Sequence, residues 1–416
     1  MSAYGSGYAI DIPRLPVGAM FESVINWLRN NLAALFDIIG DVIDSSVAAL
    51  SGFLTDPSAA QLTLIACLVI AIGLIRRGQL RLVGVLVAAY LALVLLEALT
   101  GAVTVVISSL PGALFIWAMN LFGAAYVYPP LVLVLLLLAA LLVTSAVRTA
   151  SRHQWILAAG VTGAWLLLLI GVYIVGVQFE LFAVLIFASL AWFIAGWRLA
   201  VFTVLGFLLV ISMERWAEAM STLALVLVAT GVAVVFAIPI GVIAAYSDRV
   251  SMLLKPVLDF MQTMPAFVYL IPAIAFFGVG QVPGVIATVV FAMPPGVRLT
   301  ELGIRQVDKE LVEAGEAFGA PDIQVLRGIQ LPLALATIMA GINQVIMLSL
   351  SMVVIAGMVG AGGLGNVVYS GIARADIVLG FEGGIAVVIV AIFLDRLTAA
   401  VPRFSPAARA KRMALG

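Results

Sequence analysis

The sequence predicts an all-α, polytopic membrane protein. Three observations carry that prediction: 64% of the 416 residues are hydrophobic, only 10% are charged, and the mean hydropathy is +1.23. Soluble chains carry about 25% charged and about 45–50% apolar residues, so the composition argues against a water-soluble enzyme. The 21 Lys+Arg balance 21 Asp+Glu, which leaves no net basic charge to meet nucleic-acid phosphates. The single cysteine, Cys67, gives no disulfide framework and no Cys-based metal site. The single histidine, His153, excludes a two-His zinc motif.

The first twenty residues contain Asp11, Pro13, Arg14 and Pro16 and lack an apolar core of about 7–15 residues, so they do not read as a cleaved signal peptide. Next, Phe21, Val24, Ile25, Leu28, Leu32, Leu35, Phe36, Ile39, Val42 and Ile43 recur at helical spacing, interrupted by Glu22, Arg29, Asp37, Asp41 and Asp44. That pattern predicts an amphipathic helix within an external segment 1–56, either lying in the membrane interface or packed on the protein's own surface.

A hydrocarbon core of about 30 Å needs about 20 helical residues, which gives about 11 spans. They centre on 58–75, 82–99, 129–147, 156–177, 181–197, 199–213, 221–246, 264–280, 283–299, 333–357 and 383–401. The stretch 100–128 is apolar but broken by Pro111, Gly112 and Asn120, and it reads as interfacial or re-entrant. Residues 57–215 form accessory spans, 216–402 a core, and 403–416 a basic inner tail. With the N-terminus outside, only Arg14, Arg29, Arg215 and Arg374 of the basic residues fall outside. The positive-inside rule therefore predicts an outer N-terminus and an inner C-terminus. Leu62–Leu82 and Leu181–Leu199 both read as hairpins with an inner Gly/Arg turn, as a duplicated element or as a generic feature of such hairpins.

The inner loop 300–334 is the most informative segment. Good helix formers run from Asp308 to Phe318, and Gly319 suits the position just past a helix end. Pro321 and Asp322 suit the first turn of a second helix, expected to end before Pro332, where the next span starts. A helix–turn–helix projecting from the inner surface is a docking element.

Within it, Glu313-Ala314-Gly315, three residues, Gly319, nine residues, Ile329, one residue and Leu331-Pro332 resemble the coupling loop of ATP-binding-cassette importer permeases. Gly315 stands where that family usually has a second alanine. The flanks resemble the permeases for glycine betaine, proline betaine and choline: Leu258 through Pro272, Pro294 through Thr300, Gly341-Ile342-Asn343-Gln344 with Met347, Ser351 through Ala356, Gly360 through Gly365, and Leu394-Asp395-Arg396. The likeness runs from about Trp216 to Val401, a little under half the chain; residues 100–180 do not fit it. The resemblance implies a type I importer permease core in the C-terminal half. It implies that the loop seats on a separate ATPase, present in two copies and carrying the ATP and Mg²⁺. A second copy of this chain, an external substrate-binding protein and a bacterial inner-membrane location follow from the same likeness. By resemblance the substrate is glycine betaine or a related compatible solute: proline betaine, choline or proline. Ion-gradient-driven secondary transport, or a membrane scaffold with no transport, are the alternatives.

Other signals carry less. Gly360-Ala361-Gly362-Gly363-Leu364-Gly365 matches a dinucleotide fingerprint but follows a span and leads towards an outer loop, not a βαβ unit. There is no Walker A pattern, so nucleotide is expected to bind elsewhere. Glu97 sits near the outer end of its span, a poor place for a proton relay. His153 reads as a solvated loop residue. Asp395 and Arg396, adjacent on one helix, are expected to point in different directions and to dock against another helix, not to form an intrahelical ion pair. For a translocation path the sequence offers Gln262, Thr263, Phe267 and Tyr269 near one span, and Asn343, Gln344, Met347 and Ser351 on another. Asn343, Met347 and Ser351 share a face at i, i+4 spacing and are expected to line the path or the dimer seam, with a helix-packing hydrogen bond as the alternative. A quaternary ammonium has no N–H donor and is held by aromatic faces, a role open to Phe267, Tyr269, Phe276 and Phe277.

Overall fold

The computed structural model describes residues 17–55 and 179–401, and every regular element among them is helical. In order these are α1 (Val17–Asn31), α2 (Ala33–Thr55), α3 (Phe179–Ala195), α4 (Trp197–Ser212), α5 (Trp216–Tyr246), α6 (Asp248–Thr263) and α7 (Ala266–Phe277). They continue as α8 (Gln281–Arg305), α9 (Lys309–Ala317), α10 (Asp322–Val325), α11 (Leu331–Ala356), α12 (Gly363–Ala373) and α13 (Ile377–Ala400). The expected spans 58–75, 82–99, 129–147 and 156–177, the stretch 100–128, the first of the two hairpins, Glu97, His153 and the basic tail lie outside the described residues.

The centre is built by α5, α8 and α11, which meet at small residues. A Cβ on Gly296 would lie 2.9 Å from Ala237 Cβ, and one on Gly241 2.6 Å from Thr300 Cβ, so α5 and α8 run side by side in the same direction. α11 runs the other way: Gly303 faces Thr337, Gly341 faces Leu299, and Gly284 faces Ala356. Lipid tails are as apolar as leucine, so helices gain little from hydrophobic contact alone and associate by close packing at such small residues.

Because α5 and α8 are parallel, the chain between them must cross back. The sequence predicts a span over 264–280; the structure carries the chain back with a broken helix, α6 and α7, bent by 98°. α7 has 12 residues, about 18 Å of rise, too short for a core of about 30 Å. Pro265 lacks an N–H and forces Met264 out of the helical region (φ −70°, ψ 136°). α6 is tied to α8 by ion pairs from Asp248 to Arg305 at 2.7 Å and from Asp259 to Arg298, and Ser251 Oγ donates to Glu301 at 2.7 Å. The pair meets the far end of α11, where Gly280 N–H donates to Val359 O at 3.2 Å.

The short apolar helices α3 and α4 turn at Gly196 (φ 101°) into a hairpin. Phe187 and Phe207 meet across it at 5.3 Å, and Trp216 and Phe393 complete an aromatic cluster, with Phe207–Phe393 at 5.4 Å. α13 seats against the hairpin where Gly206 faces Ile389. The glycine-rich run 360–365 makes a tight turn, with Gly360, Gly362 and Gly363 at positive φ, and leads into a helix, α12. Thr222 Oγ1 accepts from Leu364 N–H at 2.7 Å and so caps its first turn.

The N-terminal amphipathic pattern forms two helices, bent at Leu32. One stripe packs inward: Ile43 and Val47 are buried, and Phe36 stacks on Phe276 at 4.6 Å. A second apolar stripe, Val24, Trp27, Ile38 and Val42, stays exposed. The helix thus packs on its own protein and still presents a face suited to an interface.

The tightest approach is at Gly357, where a Cβ would lie 2.2 Å from Gly365 C and 2.4 Å from Asn366 N. Gly357→Ala is expected to cost about 1–3 kcal/mol by overpacking, read as a lower unfolding temperature of the detergent-solubilised protein. Gly231→Ala, with nothing within 4 Å, is expected to show no such loss.

Candidate functional site

The segment between α8 and α11 is a built element. Asp308 caps α9, its carboxylate accepting from Glu310 N–H at 3.1 Å. α9 buries none of its residues. It ends at Phe318; Gly319 then takes φ +77°, a left-handed conformation natural to glycine. Gly319 N–H donates to Glu316 O at 2.8 Å and Ala320 N–H to Gly315 O at 3.2 Å, which closes the turn. Pro321 is extended and α10 begins at Asp322.

The second loop helix does not stop before Pro332, as the sequence predicts. It passes through a π turn, Leu326–Gln330, and runs on as α11. Leu331 N–H bonds to Leu326 O, five residues back. Proline cannot donate to the i−4 carbonyl and its ring crowds that group, so a locally widened turn lets the helix continue. One helical element therefore reaches from Asp322 to Val359.

Gly315 and Ile329 meet: a Cβ on Gly315 would lie 2.7 Å from Ile329 Cδ1. This contact folds α9 against the π turn, with Val325 buried beneath. Leu331 packs beside Ile304, Ala334 and Ile338 at the base of the loop, next to Pro332. Glu313 and Ala314 are exposed. So are Leu311, Ile323 and above all Phe318, which is 92% exposed. Sequence reasoning passed over Phe318; a phenylalanine closing an otherwise charged helix was the available signal. It also missed the side-chain hydrogen bond from Tyr246 to Gln330, which ties the π turn to the end of α5.

The proposed path residues divide. Gln262, Thr263 and Phe267 are exposed around the α6–α7 break, whereas Tyr269 is buried, its hydroxyl donating to Met261 O and its ring 6.2 Å from Phe291. Phe276 and Phe277 are engaged by Phe36. On α11, Gln344, Met347 and Ser351 form one exposed stripe, but Asn343 turns away from it. Its Nδ2 donates to Asp395 at 2.8 Å and its Oδ1 accepts from Thr398 at 2.6 Å. Asp395 thus docks on another helix, although Arg396 also approaches it to 3.8 Å, contrary to the expectation that the two form no intrahelical ion pair. No hydrogen bond among the described residues joins the α6–α7 break to α11. No cluster of three or more His, Cys, Asp or Glu placed to hold a metal occurs among them either.

Residues 237–404 match the family of binding-protein-dependent transport system inner membrane components. The chain is 59% identical over 204 residues to the glycine betaine/carnitine transport permease GbuB of Listeria monocytogenes, covering 49% of this chain and 72% of that protein. This chain belongs to that family. To the glycine betaine transport system permease OpuAB of Bacillus subtilis it is 56% identical over 214 residues, 51% of this chain and 76% of the relative. To the glycine betaine/proline betaine permease ProW of Escherichia coli it is 51% identical over 223 residues, 54% of this chain and 63% of the relative. The inner-membrane-component match starts inside α5 and takes in the loop and every later helix described. Four of the described helices are long and apolar enough to cross a membrane, or up to five counting the bent pair as one span; the chain is a multi-pass inner-membrane permease component.

Gly319→Val would set a β-branched residue at φ +77°, a cost of about 1–2 kcal/mol. Faster amide hydrogen exchange is expected at residues 319 and 320, with exchange in α11 unchanged.

Proposed function

We propose that this chain is the membrane-spanning permease subunit of an ATP-driven importer for glycine betaine or a related compatible solute. The observation that carries the reading is the exposed loop helix α9, packed through Gly315 on Ile329 of an element that runs without a break from Asp322 through α11: a docking surface at one end, a spanning helix at the other. A separate ATPase would seat on α9 around Glu313, Ala314 and Phe318. Two loops in a permease homodimer would engage two ATPase copies, and ATP and Mg²⁺ would be held there. Hydrolysis belongs to that partner. An external binding protein would deliver the solute, and relatives named for glycine betaine support the substrate class.

The polar stripe Gln344, Met347 and Ser351 would line the path or the seam between copies, with Gln262, Thr263 and Phe267 at the broken helix. Polar side chains in lipid are costly unless they face a partner or water, and non-helical backbone at membrane depth is tolerated where it lines a cavity. Orientation follows the basic residues, with the coupling loop inside and the α12–α13 turn outside.

Proteoliposomes holding this chain, its ATPase and its binding protein are expected to accumulate labelled glycine betaine only with ATP, and to do so after the proton and sodium gradients are collapsed. Uptake that follows the ion gradient without ATP would favour a secondary transporter instead. In intact cells, a cysteine replacing Asp376, exposed at the start of α13, is expected to react with an impermeant reagent. One replacing Asp308 is expected to react only after permeabilisation; the reverse pattern overturns the orientation.

A further inference from the structure

Asn343 makes a two-pronged contact. Its amide donates to Asp395 and accepts from Thr398, residues one helical turn apart on α13. Asn343 lies on the helix that continues from α10, the second helix of the loop, about 18 Å past Leu331. α13 in turn carries the rest of its side of the molecule. Phe393 enters the aromatic cluster of α3 and α4, Ile389 fills the notch at Gly206, and Glu382 holds Arg215 at 3.3 Å. Among the described residues no other hydrogen bond joins α11 to α13, and Ile346, Leu350, Val390 and Leu394 of the two helices share one apolar cluster, where non-directional contact resists sliding less than hydrogen bonds do.

We propose that Asn343, Asp395 and Thr398 form the joint through which movement of the coupling loop reaches α13 and the α3–α4 hairpin, with Asp395 as a positioning residue. This rests on the transport reading above. Both prongs leave one side chain, so rotation or translation of α11 along α13 strains both; the Thr398 hydroxyl also faces Leu394 O at 2.8 Å and Asp395 O at 3.1 Å on its own helix, which leaves the Asp395 prong as the principal one. Loss of the joint would let α11 follow the ATPase while α13 stays behind, so that hydrolysis continues with less solute moved.

The test is the ratio of solute moved to ATP hydrolysed by the reconstituted full complex. A merely unfolded fraction lowers both quantities together and leaves that ratio unchanged. Asn343→Asp sets a carboxylate against Asp395 and is expected to lower the ratio about five-fold or more. The double variant Asn343→Asp with Asp395→Asn restores an amide–carboxylate pair in the reverse sense, with Thr398 still able to donate, and is expected to recover most of the ratio. Should the single variant fail to assemble, Thr398→Val removes one prong at nearly constant volume and is expected to give a partial fall. A wild-type ratio in the single variants, or a double variant as uncoupled as Asn343→Asp, overturns the joint. A wild-type complex that moves no solute with ATP overturns the transport reading itself and is told apart at that first measurement.

Discussion

Close approach of the α5, α8 and α11 backbones is the constraint on which the rest of the structure depends. At Gly241, Gly296, Gly303 and Gly341 a side chain on one helix occupies the space a Cβ would need on its neighbour. Within a bilayer such contact replaces the hydrophobic drive that holds soluble cores together. The three helices are locked at one spacing and register. That register fixes where α8 delivers the chain to the loop and where α11 takes it back.

The loop is consequently a rigid outgrowth of the core. Its base is held by polar contacts: Arg305 with Asp248 and Glu301, Arg305 to the Ala244 carbonyl at 2.8 Å, and Tyr246 with Gln330. Its tip is held by Gly315 against Ile329, by the left-handed turn at Gly319, and by the Asp308 cap. Between tip and core the π turn at Leu326–Gln330 keeps the helix continuous across Pro332. α9 is coupled to that element through the Gly315–Ile329 contact, and from Asp322 the helix runs unbroken to the far end of α11, where the chain tightens into a 3₁₀ turn and then the left-handed Gly360.

What was legible in the sequence was local. The helix over Asp308 to Phe318 and the turn at Gly319–Pro321 are written in residue types whose backbone preferences act within a few residues, whereas the capping role of Asp308 came only with the structure. The continuation past Pro332 was not legible, because a proline ends most helices and only the widened turn, stabilised by packing on Ile304 and Ala334, rescues this one. The broken crossing was misread for a related reason. α6 is amphipathic and fell outside a search for uniformly apolar runs, so α7 was extended to span alone. The direction of Asn343 was hidden because α11 is apolar on nearly every face, so spacing placed it with Met347 and Ser351 but could not say which stripe faces α13. The N-terminal helices carry two apolar stripes, and the sequence could not say that one would be covered by Phe276 and the core while the other stays open.

If α10 and the spanning helix α11 are one rigid element, its length must not change when the ATPase closes. Spin labels at Ile323 and Met358, both exposed on that element, lie about 50 Å apart along it. Their separation, measured by pulsed electron resonance in the reconstituted complex, is predicted to stay the same, and equally narrow, with and without bound nucleotide. A shift or broadening of that distance on nucleotide binding would place a hinge at the π turn and contradict the account.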